Sequence, residues 1–198
     1  EEIASFVSMA VIVPTLIGAA IAVQLCKKYD KFKIFYFSYM FALILGIVRY
    51  IAGYENMMVY VILNALGGFP LGIAAILQYQ FTPDCYEYGQ YKTGLKMRGV
   101  TFAAQTFFTK LNGAIATAVS VFALTLIGFK EGEGVIQAAG FADKLWTFSC
   151  LGSIIGGICT LLILHLYKLN DHDVQLMSKC NNGEITREEA EAQMINRY

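Results

Sequence analysis

The sequence predicts an all-α membrane protein with five transmembrane helices, and three observations support this fold class. Hydrophobic residues make up 57% of the 198 residues, and the mean hydropathy is +0.53. Charged residues make up only 15%, against about 25% in an average soluble domain. The charges are concentrated in short segments, and the uncharged runs between them approach the roughly 20 residues that a helix needs to cross a bilayer.

Each of the five apolar runs is predicted to form one membrane-spanning helix. The runs are longer than the segments of about 10 residues that form strands in membrane barrels, and five in succession do not suit a soluble helical core. Pro14 lies in the first run, and Gly67, Gly68 and Pro70 interrupt the third. Neighbouring helices absorb such interruptions in a membrane. The predicted spans cover residues 3–25, 34–54, 57–81, 100–129 and 145–167.

The connecting segments predict the orientation of the spans. Basic residues are concentrated in segments 26–33 and 82–99 and at the start of the tail, which begins with Lys168. Segment 55–56 has no basic residue, and segment 130–144 has mixed charge. Because basic loops remain in the cytoplasm, we expect the first span to run inward and the tail to be cytoplasmic.

This topology divides the chain into a transmembrane bundle at residues 1–167 and a cytoplasmic tail at residues 168–198. We expect a multi-pass protein of the cell (inner) membrane. The number of spans is odd and the chain begins with Glu1-Glu2, so we expect it to be part of a larger protein. In the tail, a turn signal at residues 181–183 followed by the capping box Thr186-x-x-Glu189 predicts a helix.

The sequence lacks the residues that are characteristic of several classes of function. The formal net charge is zero, so there is no basic footprint for nucleic acid. The five cysteines are odd in number and show no CxxC pair, which argues against a disulfide framework or a metal site. No Ser/His/Asp or Cys/His nucleophile set is evident. We therefore expect a protein that is not an enzyme and holds no covalent cofactor.

Lys110 is the residue of the fourth span that most clearly indicates function. It lies about 15 Å along the helix from Val100, close to the bilayer midplane. A lysine at that depth costs at least about 2.5–3.5 kcal/mol on insertion scales. It normally faces a water-filled cavity or an acidic partner. A structural lysine paired with an acid of a neighbouring helix is the alternative.

The neighbours of Lys110 form a polar stripe along the same helix. At 100° per residue, Thr106, Gly113 and Thr117 share its side of the helix, and Gln105, Thr109 and Asn112 widen the stripe. The far side carries large apolar residues such as Phe107 and Phe122. The pattern predicts that one side of the fourth span lines a wet cavity. Arg49, near the outer end of the second span, is interpreted as an interfacial arginine whose guanidinium reaches the membrane surface.

One segment carries a family resemblance. Residues 84–94 read DCYEYGQYKTG, and the sequence continues without a gap to QTFFTK at residues 105–110. These motifs are similar to the D-x-x-D/E-Y-G-E-W/F-K-T-G and Q-T-F-x-x-K patterns of the glycoside–pentoside–hexuronide:cation symporters. The stretch from Leu77 to Phe129 therefore resembles that family, although Gln90 and Arg98 stand where the family often has acids.

The resemblance implies a fold and a mechanism. It implies helices 8–12 of a twelve-helix major facilitator fold, in which two six-helix halves rock around a site at the midplane. Gln105, Thr106 and Lys110 would lie near the sugar pocket, with Thr109 beside them on the polar stripe. An inner gate is implied at three residues of the loop that closes the cytoplasmic side, Asp84, Glu87 and Lys92. The family's cation carboxylates lie in the N-terminal half, outside this chain.

The expected function is secondary active transport, as a symporter of a sugar (glycoside, pentoside or hexuronide) and a cation, Na⁺ or H⁺. Its partners are then the sugar, the cation, membrane lipid and the N-terminal six-helix half of the same protein. A major facilitator transporter of another solute, such as a lipid or a peptide, remains an alternative. A membrane-embedded enzyme fits less well, since the sequence offers no convergent nucleophiles or metal ligands. A membrane scaffold gives no reason for Lys110 in mid-span.

Overall fold

The structure is a computed structural model that describes residues 2–132 and 136–198, with side chains from Ser8 onward. The described part of the chain is helical and contains no strand. Eight helices follow in order, with a 3₁₀ turn at Gln78–Gln80 between the third and the fourth. They are α1 (Glu2–Leu25), α2 (Lys31–Ala52), α3 (Met57–Leu77), α4 (Phe81–Thr93), α5 (Arg98–Ile127), α6 (Phe141–Leu164), α7 (Asp171–Asn181) and α8 (Arg187–Gln193).

The five predicted spans are confirmed as long apolar helices. Five helical segments among the described residues are long and apolar enough to cross a membrane. Their bounds differ from the predicted ones by a few residues, apart from the end of the third. They are Ser8–Leu25, Lys31–Ala52, Met57–Thr93, Arg98–Ile127 and Phe141–Leu164.

The third span extends further than the sequence predicted. Residues 82–93 were expected to belong to a connecting loop. Instead α3, the 3₁₀ turn and α4 follow one another without a break, and this helical segment ends at Thr93. Pro83 does not stop the helix because it lies in the first turn of α4, where a backbone N–H is not needed. The stop is Gly94, whose φ of 73° is accessible to glycine at little cost.

Helix α3 is the centre of the bundle, with α1 and α2 packed against it. The glycines that interrupt the third span in the sequence form its contact with α1. A Cβ on Gly68 would lie 2.6 Å from the Val11 carbonyl oxygen, and one on Gly72 would overlap the Thr15 carbonyl. Small residues of this kind let two helix backbones approach closely in a membrane. Leu77, with no exposed surface, lies in the cluster of buried residues at the end of the bundle where α1 and α3 end and α2 begins.

The tail folds back on the end of the third span. Helix α7 packs against α4, and α8 packs against α7. The predicted tail helix and its capping box are confirmed, because Thr186 accepts from the Glu189 backbone N–H and Glu189 accepts from the Thr186 backbone N–H. The turn between the two tail helices includes Gly183, which has φ of 78°.

Candidate functional site

Lys110 lies near the middle of α5, a helix of 30 residues and about 45 Å. Its side chain is exposed, and it makes no hydrogen bond or ion pair with any described residue. The alternative of a structural lysine needs an acid on a neighbouring helix, and the described helices place none against it. The ammonium is therefore available to a group that lies outside this part of the protein.

The threonines of the polar stripe bond to their own helix. The hydroxyls of Thr106, Thr109 and Thr117 donate to the carbonyl oxygens four residues earlier, at distances of 3.0, 2.9 and 3.0 Å. Each hydroxyl proton is thus committed, and the oxygen lone pairs face outward as acceptors. A solute with several hydroxyl donors is complementary to such a surface.

A cleft of about 660 Å³ lies between α5 and the junction of α3 with α4. Gln105 and Thr109 line it, together with Asn112 from α5 and with Gln78 and Thr82 from the facing segment. Thr106 and Lys110 do not line this cleft, since they lie about 100° further round the helix. The structure thus divides the four predicted substrate-binding residues between two adjoining faces of α5.

A second polar cluster lies at the start of α2 and is here called the charged junction, formed by Asp30, Lys31, Asp84 and Asp171. The Lys31 Nζ lies 2.7 Å from the Asp84 Oδ1 and 3.3 Å from the Asp171 Oδ1. The Lys31 backbone N–H donates to Asp171 at 2.8 Å, and the Asp171 backbone N–H donates to Asp30 at 2.8 Å. The junction therefore links the first turns of α2, α4 and α7.

The predicted inner-gate residues have three different environments. Asp84 lies in the first turn of α4, where it is 5% exposed and paired with Lys31. Glu87 accepts from the Asn181 side-chain amide at 2.8 Å and thereby holds α7 against α4. Lys92 is exposed and makes no hydrogen bond or ion pair with a described residue. Sequence reasoning missed Lys31 as the partner of Asp84, and Asp171 as the second counter-charge of Lys31.

The interpretation of Arg49 as an interfacial arginine is wrong. Its guanidinium points into the bundle, where it donates to the Asn64 side chain on α3 at 3.2 Å and reaches the Cys150 sulfur on α6 at 3.8 Å. It also lies over the Trp146 ring, 5.4 Å from the centroid. A guanidinium is planar and weakly hydrated, so it stacks on an aromatic ring and donates to an amide within a bundle. Arg49 therefore ties α2 to α3 and α6.

The tail is closed around a buried carboxylate. Asp173 has no exposed surface, and it accepts from the backbone N–H groups of Ile195 and Asn196 at 2.8 and 3.0 Å and from the Tyr198 hydroxyl at 3.0 Å. Burial opposes ionisation of Asp173, but these amides and the Asn170 side chain outweigh it and hold the pKa of the carboxyl below its usual range. The last residues of the chain are fixed to the start of α7.

Comparisons with known proteins agree on one class. A family model described as MFS/sugar transport protein matches residues 2–171. The "Putative sulfoquinovose importer" of Escherichia coli (strain K12) is 25% identical over 185 residues, which are 89% of this chain and 38% of that protein. The "Putative glycoside/cation symporter YagG" of the same organism is 21% identical over 165 residues, 83% of this chain and 36% of that protein.

A third relative is the "Putative 2,3-dihydroxypropane-1-sulfonate exporter" of Salmonella typhimurium (strain LT2). It is 26% identical over 113 residues, 57% of this chain and 24% of that protein. No solved structure matches the chain significantly. The chain spans little more than a third of the length of the first curated relatives it matches.

Proposed function

Because the chain belongs to the MFS/sugar transport protein family, we propose that the complete protein is a secondary active transporter that couples a sugar to a cation. Both the family and the named relatives are transporters, so this chain is part of a transporter and not of an enzyme. The cation coupling and the alternating-access movement belong to the proposal.

The observation that carries the proposal is Lys110 in the middle of α5, which is exposed and pairs with none of the residues that the structure describes. A lysine in mid-span is expensive unless it faces water or a functional partner. Outward-facing threonine oxygens and the amides of Gln105 and Asn112 lie on adjoining faces of the same helix. A charged donor together with many hydrogen-bonding groups suits a polyhydroxylated solute better than a lipid or a peptide.

A second candidate substrate class is an anionic sugar. Lys110 has no acidic partner among the described residues, so a carboxylate or sulfonate on the substrate is able to serve as its counter-ion. Two of the named relatives carry the names of sulfonate transporters. A neutral glycoside would instead take hydrogen bonds from the same ammonium, whose charge would then be balanced by an acid outside this chain.

The charged junction supplies the proposed gate. It lies where the third span ends and where the basic segment 26–33 joins α2, on the side that we propose to be cytoplasmic. The proposed role of the Lys31–Asp84 pair is to set the balance between the conformations through which the two halves rock. The coupling cation, Na⁺ or H⁺, would bind carboxylates outside this chain.

Uptake by the complete protein in sealed proteoliposomes tests the proposal. The solutes are a neutral glycoside, a uronic acid and a sulfonated sugar, each with an imposed Na⁺ gradient, an imposed H⁺ gradient or neither. We expect one sugar class to accumulate above its outside concentration with one of the two gradients. Liposomes without protein are the control. Equilibration without accumulation under either gradient would contradict cation coupling, and no entry of any sugar would contradict sugar transport.

A further inference from the structure

An apolar groove lies on the surface of the bundle where α1, α2 and α3 meet near the charged junction. It has a volume of about 400 Å³ and is here called the inner groove, lined mainly by Phe37, Phe41, Phe69, Pro70 and Ile73. Its polar lining inside the membrane is the Ser38 hydroxyl, which already donates to the Ile34 carbonyl at 2.8 Å. The groove therefore offers an occupant mainly apolar contact, and its Ser38 hydroxyl proton is already committed.

The mouth of the inner groove is basic. Lys33 and Tyr29 line the groove, and the same two residues line a neighbouring polar recess of about 600 Å³. Lys27, Lys28 and Lys168 complete the basic side of this lysine recess. The groove and the recess are thus one continuous surface, apolar on one side of Lys33 and positively charged on the other.

The lysine recess carries more positive than negative charge among the described residues, since Lys27, Lys28, Lys33 and Lys168 line it against two acids. Asp30 and Asp171 also line the recess, but both belong to the charged junction, where they hold Lys31 and backbone N–H groups. Lys28 and Lys33 are exposed and form no ion pair with a described residue. The mouth therefore offers several ammonium groups to an anion.

We propose that the inner groove and the lysine recess together bind one anionic phospholipid. An acyl chain lies along Phe37 and Phe41, and the headgroup phosphate contacts Lys33 and Lys28. The charge pattern matches such a lipid, because basic pockets at the cytoplasmic ends of membrane helices attract anionic headgroups. Tyr29 lies between the two parts, at the headgroup level that tyrosine favours in membrane proteins. The groove volume is also in the range of about 300–1,000 Å³ found for small-ligand sites.

A photoactivatable phosphatidylglycerol, with its reactive group in the middle of one acyl chain, locates the lipid on the complete protein. The purified protein is mixed with this lipid in nanodiscs of phosphatidylcholine, irradiated, digested and mapped by mass spectrometry. We expect the crosslinks to be concentrated at residues 37–41 and 69–73. An even distribution over all spans would overturn the proposal, and so would protection of the groove by another segment of the protein.

Native mass spectrometry of the delipidated protein measures the headgroup preference. We expect the first phosphatidylglycerol to bind about tenfold more tightly than phosphatidylcholine with the same acyl chains. The Lys28→Gln/Lys33→Gln double variant is expected to lose most of this preference. Lys96→Gln is the matched control, since Lys96 is an exposed lysine of the segment between α4 and α5 and lines neither the groove nor the recess. Equal binding of the two lipids, or an equal loss in the control variant, would overturn the proposal.

Discussion

The Lys31 ammonium lies 2.7 Å from the Asp84 carboxylate, although 53 residues separate the two along the chain. The same ammonium lies 3.3 Å from Asp171 at the start of the tail. One cation thus holds together the first turns of three helices that are distant in sequence. Lys31 therefore has two counter-charges, Asp84 and Asp171. A variant of Asp84 can for this reason test its role as a gate without leaving Lys31 uncompensated.

The first prediction concerns Asp84. Asp84→Asn keeps an acceptor for Lys31, and Asp171 keeps the lysine compensated, so we expect the protein to remain folded. The gate pair is weakened, which changes the balance between conformations more than the intrinsic affinity for substrate. Active accumulation is expected to fall at least tenfold, the effect of about 1.4 kcal/mol on that balance. The measurement is concentrative uptake, with sugar binding and melting temperature on the same preparations.

Lys31→Gln provides the contrast to this variant. It leaves Asp84 and Asp171 without their shared cation, and an uncompensated buried charge is strongly destabilising. We expect Lys31→Gln to lower the melting temperature more than Asp84→Asn does. Glu55→Gln, which removes an exposed acid at the opposite end of the bundle, is the control. Accumulation by Asp84→Asn at the wild-type level would remove the gate role.

The second prediction concerns the tail. The Ile195 and Asn196 N–H groups bond to different oxygens of Asp173, so Asp173→Asn turns an N–H₂ group towards one of these donors, at a cost of about 1–3 kcal/mol. We expect residues 195–198 to be released and to exchange their amide hydrogens faster. Glu188→Gln on the exposed side of α8 serves as the control. Unchanged exchange at the Ile195 and Asn196 amides in Asp173→Asn would contradict the closed tail.

The third prediction follows from the lowered pKa of Asp173. The carboxyl is more acidic in the folded tail than in an unfolded chain, so its stabilising contribution is complete well above the ordinary value of 3.8. That contribution is lost as the pH falls below 3.8 towards the lower folded-state value. Proteolysis of the tail by pepsin is expected to accelerate in that range in the wild type. At pH 5 Asp173→Asn should be cleaved faster than the wild type, and the two rates should converge as the pH falls, a comparison at equal pH that cancels the pH dependence of pepsin itself.

The fourth prediction concerns Arg49. Arg49→Ala removes the bond to Asn64 and the stacking over Trp146, and we expect unfolding of the detergent-solubilised protein to become easier by about 1–3 kcal/mol. Arg49→Lys should also be destabilised, because an ammonium cannot reproduce the planar fork that spans α3 and α6. Tyr50→Phe, a neighbouring change on α2, is the control. Full stability of Arg49→Lys would show that charge alone suffices at this position.

The fifth prediction concerns topology. Exposed positions are Lys28 in the basic segment 26–33 and Ala138 in the segment before α6. An impermeant thiol reagent applied to intact cells is expected to label Ala138→Cys and to leave Lys28→Cys unlabelled until the cells are opened. The unmodified protein already contains five cysteines, so its own labelling is measured as the background. Labelling of both positions in intact cells would contradict the proposed orientation.

The helices could be predicted from the sequence because hydrocarbon imposes length and polarity on each span separately. The capping box at Thr186 was equally readable, since its partners are three residues apart. The helical extension through Pro83 could not be predicted, because a proline breaks a helix in its interior but is tolerated in its first turn. Helix α4 also packs against α7, a contact that no local pattern encodes.

The candidate site was predicted in its residues but not in its contacts. Lys110 was found from its depth alone, and the structure leaves it exposed and unpaired as far as the chain is described. The partners of Asp84 and Arg49 were missed because each lies on a different helix, so no spacing along the chain encodes them. For Arg49 the interpretation went wrong by assigning to the membrane surface a group that bonds within the bundle.

Lys110 tests the central claim most directly, since both of its proposed roles need a positive charge in mid-span. The measurement is sugar accumulation by the complete protein in proteoliposomes under the coupling gradient, for the wild type, Lys110→Ala, Lys110→Arg and the control Lys96→Gln. We predict that Lys110→Ala abolishes uphill transport at unchanged or higher thermal stability, because no described acid loses its partner, and that Lys110→Arg is impaired since its planar charge has a different reach. Accumulation by Lys110→Ala to the wild-type level would contradict the account.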